Sequence, residues 1–158
     1  MTSLNRITFH WTAGTYTPNY IDKEAYHFLI DGDGKVVRGT YQPEDNLNCQ
    51  DGKYARHCGG CNTGNIGIAI CAMYSQDYPI KRIQIEAACK LAAQLCEKYG
   101  IRITNKNVLT HAEVGKMLPH STSAGKIDIT NLPCVAVYGV TAVGNWIRNK
   151  VAWYRSKM

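Results

Sequence analysis

The chain has 158 residues, 45% of them hydrophobic and 19% charged, which suits one domain with its own core and excludes extended disorder. Lysine and arginine outnumber aspartate and glutamate by 18 to 12, and the resulting net charge of +6 favours an anionic partner. The sequence lacks RNA-binding aromatic motifs, zinc-finger spacing and a densely basic helix, so we expect no nucleic-acid partner. It lacks both an apolar run of the ~18 residues that span a bilayer and a secretory apolar region at its start. We therefore expect synthesis in the cytosol and no stable membrane insertion.

The first half of the chain predicts strands and loops. Residues 5–11 and 26–30 have the composition of strands, and the Asp-Gly-Asp-Gly run at 31–34 predicts a hairpin turn into 35–39. Residues 41–65 are rich in Gly, Asn, Asp and Cys and predict a long loop, which in a compact domain is often functional.

The second half contains the two predicted helices. Residues 66–72 are nearly all apolar, which is typical of a strand covered on both faces. Residues 81–99 repeat apolar side chains at helical spacing, and 107–111 predict a short strand followed by a loop over 112–133. From Thr141 onward an amphipathic helix is expected to pack its apolar face on the core, or alternatively to bind an anionic surface. Strands interspersed with two helices favour an α/β fold.

Seven cysteines form an odd count, and we expect them to be mostly reduced and packed as small hydrophobic side chains. Cys58 and Cys61 form a C-x-x-C motif, which could be a redox pair or half of a zinc site. The motif has no second C-x-x-C and no helical pattern after it, so neither function is favoured by the sequence.

Three possible metal ligands occupy strand ends or the loop after one. His10 lies at the end of the first strand, His111 at the end of a late strand, and Asp128 in the loop that follows. Two neutral imidazoles and one carboxylate can hold zinc and leave a fourth position for water. Each residue is a weak signal when taken singly.

Five short motifs, in chain order, give a more specific indication. They are Phe9-His10-Trp11-Thr12-Ala13-Gly14, Tyr26-His27-Phe28-Leu29-Ile30, Asn65-Ile66-Gly67-Ile68-Ala69, Thr110-His111-Ala112-Glu113-Val114 and Gly125-Lys126-Ile127-Asp128. Over residues 5–133 the chain resembles the N-acetylmuramoyl-L-alanine amidases of the zinc amidase and peptidoglycan-recognition superfamily, which includes phage endolysins. The resemblance implies a central mixed β-sheet flanked by α-helices, with Zn²⁺ at the floor of a groove.

The resemblance also implies a set of zinc ligands. His10 and His111 match the first two, and Asp128 matches the third, which is Asp in some branches of the family and Cys in others. Asp128 is preferred because a lysine precedes it by two residues, as in the family pattern. Cys134 and His120 stay open as alternatives, because the loop before Asp128 is longer than in many relatives.

The remaining site residues are carried over in the same way. Lys126 matches the lysine that stabilises the oxyanion, and Tyr26 matches a tyrosine that faces the zinc. His57 and Asn62 resemble the wall of the groove and are expected to bind the glycan or stem peptide. The general base stays open among Tyr26, Glu113 and Asp128.

The implied function is hydrolysis of the amide between N-acetylmuramic acid and L-alanine in bacterial peptidoglycan, by a single catalytic domain over residues 1–158 that works as a monomer. An endolysin made in the host cytoplasm and released, for example through a holin, is the favoured biological setting. A binding module that does not cut, or an antibacterial effector with the same chemistry, are the alternatives.

Overall fold

The computed structural model of the protein describes residues 3–158. This part of the chain forms strands β1 to β7 and helices α1 to α4, which in chain order are β1 Arg6–Trp11, α1 Tyr20–Ala25, β2 Phe28–Ile30, β3 Val36–Arg38, β4 Asn65–Ile70, α2 Arg82–Tyr99, β5 Val108–Thr110, α3 His111–Met117, β6 Asn131–Leu132, β7 Val137–Tyr138 and α4 Val140–Ser156. Short 3-10 turns lie at Pro43–Leu47 and Pro133–Val135. None of the helices in residues 3–158 combines the length and apolar character needed to cross a bilayer.

Five strands form a mixed sheet in the order β3-β2-β4-β1-β5. Strand β1 is parallel to both β4 and β5, β2 is parallel to β4, and β3 pairs antiparallel with β2 as the edge strand. All six residues of β4 are buried, in keeping with a central parallel strand covered on both faces. The expected fold, a mixed sheet with flanking helices, is confirmed, as is the predicted hairpin between β2 and β3.

The two faces of β1 have different neighbours. Ile7, Phe9 and Trp11 belong to the main core, together with buried side chains of α2 and α4. Because side chains alternate along a strand, Thr8 and His10 lie on the opposite face. That face is covered by the loops that follow β3 and α3, and the candidate site lies there.

Candidate metal centre

Two histidines and one aspartate come together at the carboxyl edge of the parallel strands. The Oδ2 atom of Asp128 lies 3.0 Å from Nδ1 of His10 and 3.3 Å from Nδ1 of His111. One ligand atom from each residue lies within 4.8 Å of the other two, and all three residues are buried. Two ring nitrogens and one carboxylate oxygen at this spacing can share one metal ion.

The sheet and one short helix position these three side chains. Strands β1 and β5 are parallel neighbours, so their carboxyl ends bring His10 and His111 to the same edge. Thr110 caps α3 with its side-chain oxygen, and His111 is the first residue of that helix. The amide of Ala112 donates to the carbonyl oxygen of Asp128 over 2.7 Å. This bond holds the loop that carries the carboxylate against the start of α3.

A third histidine, His57, orients the ring of His10 from the side away from Asp128. Nε2 of His10 lies 3.0 Å from Nδ1 of His57, and Nε2 of His57 lies 2.9 Å from the carbonyl oxygen of Asn65. Because a carbonyl only accepts, Nε2 of a neutral His57 carries the proton and its Nδ1 accepts from His10. Gly67 makes room for this arrangement, since a Cβ there would lie 2.6 Å from the His57 ring.

A serine fixes the ring of His111 in the same way. Nε2 of His111 lies 3.0 Å from Oγ of Ser123, and the Ser123 hydroxyl donates to the carbonyl oxygen of Gly59 over 2.7 Å. The hydroxyl proton is therefore engaged, and the oxygen accepts from the Nε2 proton of His111. No motif in the sequence marks Ser123 for this contact, which depends on how its loop folds back over the sheet.

These outer contacts leave the Nδ1 lone pairs of His10 and His111 directed at the Asp128 carboxylate. Three electron-pair donors that face one another can share one cation, and two imidazoles with a carboxylate are a donor set typical of catalytic zinc sites. Burial is the main cause that lowers the pKa of His10, so its ring is readily neutral. Burial alone would raise the pKa of Asp128, but its contacts with the rings of His10 and His111 outweigh burial and hold that pKa at about 2, so the carboxylate is ionised. Both protonation states are those that a metal requires.

The three residues lie beside an open cleft of about 420 Å³. Tyr26 and Lys126 both line this cleft, and the ring centre of Tyr26 lies 5.0 Å from that of His10. Burial, followed by the charge of Asp128, raises the pKa of Tyr26, so its hydroxyl stays protonated at neutral pH. Lys126 is exposed at the rim, as is Arg56, a cleft residue that no sequence motif indicated.

The other residues named from the sequence lie in different surroundings. His57 borders the cleft but is only 5% exposed, whereas Asn62 lies in a separate surface depression and accepts a hydrogen bond from the amide of Cys58. His120 and Cys134 are exposed and do not join the ligand group. Substrate binding by His57 and Asn62 stays a prediction.

The carboxylate of Glu113 is held by hydrogen bonds that stabilise the start of α3 and its contact with α4. Its carboxylate accepts from the amide of Thr110 over 3.0 Å and from both terminal nitrogens of Arg148 over 2.9 Å. The carboxylate does not line the cleft around His111. With its oxygens held by these donors, Glu113 is poorly placed to act as the general base.

Comparison with known proteins assigns the chain to a family. The model of the N-acetylmuramoyl-L-alanine amidase family matches residues 1–128, which include all three candidate ligands. The chain belongs to this family. No curated protein matches the chain.

Several solved structures are similar to this chain in fold. A mutant of PlyL is 23% identical over 96% of this chain and 87% of that chain, with a TM-score of 0.53. The N-acetylmuramoyl-L-alanine amidase LysC from Clostridium intestinale is 21% identical over 72% and 73% of the two chains, with a TM-score of 0.52. The Ph2119 endolysin from a Thermus scotoductus bacteriophage is 19% identical over 80% and 88%, with a TM-score of 0.52.

Proposed function

We propose that the chain hydrolyses the amide bond between N-acetylmuramic acid and L-alanine in peptidoglycan, with one Zn²⁺ held by His10, His111 and Asp128. The observation that carries this proposal is the convergence of two Nδ1 lone pairs and one carboxylate, with each ring held from behind by its own partner. Membership of the amidase family supports the bond and the substrate class.

The cleft offers groups suited to each need of amide hydrolysis. When bound, zinc supplies an electrophile that polarises the scissile carbonyl and lets water attack near neutral pH. Lys126 at the rim offers a positive charge to the carbonyl oxygen as it becomes negative. Tyr26 keeps its proton, because burial raises its pKa, and donates a hydrogen bond to the same oxygen or to the attacking water. In this proposal Tyr26 is therefore a donor and not the general base.

We further propose that the protein acts as a monomeric phage-type endolysin. Two structures of similar fold are named endolysins, LysCS from Clostridium intestinale and the Ph2119 protein. The net charge of +6 suits an anionic wall polymer. Gene context tests the biological role: a neighbouring holin gene supports an endolysin, whereas an immunity gene would indicate an antibacterial effector.

Digestion of purified sacculi tests the activity. Mass spectrometry of the products is expected to show stem peptides with a free L-alanine amino group and glycan strands with intact lactyl groups. A chelator is expected to abolish release, and added zinc to restore it. Release that persists in a metal-free sample contradicts the zinc proposal, and cleavage at another bond contradicts the amidase proposal.

A binding assay on the same sacculi separates an enzyme from a module that only binds. A complex of two peptidoglycan recognition proteins, which are similar to this chain in fold, was solved with tracheal cytotoxin bound. If the zinc-loaded chain sediments with sacculi but releases no peptide, the chain is a binding module and the hydrolase proposal is wrong.

A further inference from the structure

The C-x-x-C motif lies on a tight turn with one buried and one accessible thiol. The amide of Cys61 donates to the carbonyl oxygen of Cys58 over 2.9 Å, which closes the turn that carries both thiols. Cys58 is fully buried and faces the hydroxyl of Ser123, whereas Cys61 is half-buried. The pair is therefore asymmetric: only Cys61 can meet a molecule from solvent.

The side chain of Arg6 contacts the accessible thiol of Cys61. Nη1 of Arg6 contacts Sγ of Cys61, and Nε of Arg6 is held by the carbonyl oxygen of Lys106 over 2.9 Å. Arg6, Gly60 and Cys61 line a surface depression of about 370 Å³, which is separate from the amidase cleft. The guanidinium is thus fixed beside the sulfur, where its charge favours a thiolate.

The ionisation of the two thiols matches this asymmetry. The hydrogen bond from Cys58 is the largest cause that lowers the pKa of Cys61, to about 6, and the charge of Arg6 contributes. The same hydrogen bond, together with burial, raises the pKa of Cys58. Cys61 is therefore the thiolate near neutral pH and Cys58 the thiol.

A metal site does not account for the pair. Among residues 3–158, the only group of three or more histidine, cysteine or acidic side chains close enough to share an ion is the one around His10. A structural zinc requires four ligands as a rule, and Cys58 and Cys61 supply two.

We propose that Cys58 and Cys61 form a reactive dithiol site for small disulfides. The Cys61 thiolate attacks one sulfur of a disulfide R–S–S–R, which forms a mixed disulfide and releases one R–S⁻. The Cys58 thiol then gives its proton to the released R–S⁻, and its sulfur attacks the Cys61 sulfur and displaces the second R–S⁻. The net reaction converts two protein thiols and one small disulfide into one Cys58–Cys61 disulfide and two small thiols. This proposal is independent of the amidase activity.

Glutathione disulfide and peptide mapping test the proposal on the full chain. Burial raises the pKa of Cys134, whereas the pKa of Cys61 is lowered to about 6, so a much larger fraction of Cys61 is ionised at pH 6. The weaker nucleophilicity of a low-pKa thiolate offsets only part of this advantage, and we expect Cys61 to react at least about tenfold faster at pH 6 than Cys134, the exposed thiol. The expected final product in the unmodified chain is the Cys58–Cys61 disulfide.

Variants assign the two steps. Cys58→Ala is expected to stop at a stable glutathione adduct on Cys61, Arg6→Gln to reduce the advantage at pH 6, and Cys134→Ser to leave formation of the disulfide unchanged. If the unmodified chain keeps glutathione on Cys61, or if Cys134 reacts first and Cys61 stays reduced, the proposed site does not exist.

Discussion

His57 illustrates how one buried ring can control another. Its Nδ1 accepts from Nε2 of His10, and its own Nε2 donates to the carbonyl oxygen of Asn65, so it sets both the tautomer and the angle of the His10 ring. Histidine ligands held in this way lose metal affinity when the outer partner is removed.

We expect His57→Ala to weaken zinc binding by about 10- to 100-fold. Titration of the chelator-treated protein with zinc, followed by calorimetry, measures this directly. His120→Ala is the matched control, because His120 is an exposed histidine outside the ligand group. If His57→Ala keeps its zinc affinity and instead raises KM, His57 acts on the substrate, as the sequence resemblance implies.

Lys126 and Tyr26 are expected to act on the transition state and not on the metal. Both line the cleft, and neither belongs to the ligand group. Lys126→Ala and Tyr26→Phe should therefore bind zinc normally but lose ~10²-fold or more in kcat, as expected for removal of an oxyanion partner. Zinc content and turnover measured on the same samples test this. Normal turnover in both variants would mean that the two side chains only border the cleft.

His27 is buried beside the site and makes folding sensitive to acid. Its Nε2 donates to Oδ1 of Asn46 over 2.8 Å, and its Nδ1 accepts from the amide of Gly67 over 2.9 Å. Burial is the main cause that lowers its pKa to about 4. Between about pH 6.5 and pH 4, His27 is protonated in the unfolded chain but stays neutral in the folded chain. The free energy of unfolding therefore falls as the pH drops through this range, by up to about 3 kcal/mol.

The His27→Gln variant isolates this contribution. The unmodified chain is expected to be more stable than the variant at pH 7, and the difference should narrow by about 3 kcal/mol at pH 4 because glutamine does not titrate. Urea denaturation in the presence of chelator measures both proteins. His120→Gln serves as control and should follow the unmodified chain at every pH. Parallel curves for His27→Gln would show that His27 does not resist protonation.

At the scale of elements, the long helix α2 was predictable and the short ones were not. Residues 81–99 repeat apolar side chains over five turns, and the observed helix is Arg82–Tyr99, closed by Gly100 in the left-handed conformation with φ of 67°. Helices α1 and α3 have six and seven residues, too few to show a helical repeat. The segment that contains α3 is predicted from the sequence as the end of a strand followed by a loop, and no helix is predicted at α1.

Capping boxes are the signal that could have revealed both short helices. Asn19 and Asp22 form one at the start of α1, and Thr110 and Glu113 form one at the start of α3. The family resemblance indicated His10, His111 and Asp128, which converge at the candidate metal centre, because each lies in a motif that the family shares. The contact between His111 and Ser123 was not predictable, because it depends on the path of a loop without repeat or motif.

The ion pair between Glu113 and Arg148 ties α3 to α4. The two side chains are 14% and 11% exposed, and the pair is bidentate. Gly144 of α4 leaves the space for it, because a Cβ there would lie 2.3 Å from Oε2 of Glu113. Removal of Glu113 leaves the largely buried charge of Arg148 with only the Val108 carbonyl and the Asn145 side-chain oxygen as partners, and breaking a buried ion pair in this way costs about 3–5 kcal/mol.

We therefore expect Glu113→Ala to lower the free energy of unfolding by about 3 kcal/mol. Glu97→Ala, on the exposed surface of α2, should change it by less than about 0.5 kcal/mol. Chemical denaturation measures both. A Glu113→Ala protein of unchanged stability that has lost turnover would instead make Glu113 the general base.

At the scale of the whole molecule, the core extends beyond the segment that defines the family. The family match ends at residue 128, and α4 begins 12 residues later. Val143, Ile147 and Val151 of α4 are fully buried, in the same cluster as strand β1 and helix α2. We propose that α4 is an integral part of one catalytic domain, with its apolar face on the core as the sequence predicted.

Two matched isoleucines test this proposal. Ile147→Ala removes a fully buried side chain from α4 and is expected to lower the free energy of unfolding by about 2–5 kcal/mol. Ile83→Ala makes the same change on α2, where the side chain is 55% exposed, and should cost less than about 1 kcal/mol. Urea denaturation of both full-length variants, followed by tryptophan fluorescence and by circular dichroism, measures the two effects. If α4 belongs to the domain, both probes of Ile147→Ala shift together in a single transition. A second, earlier transition that removes only part of the helical circular dichroism signal would mean that α4 unfolds by itself and that the domain ends before it.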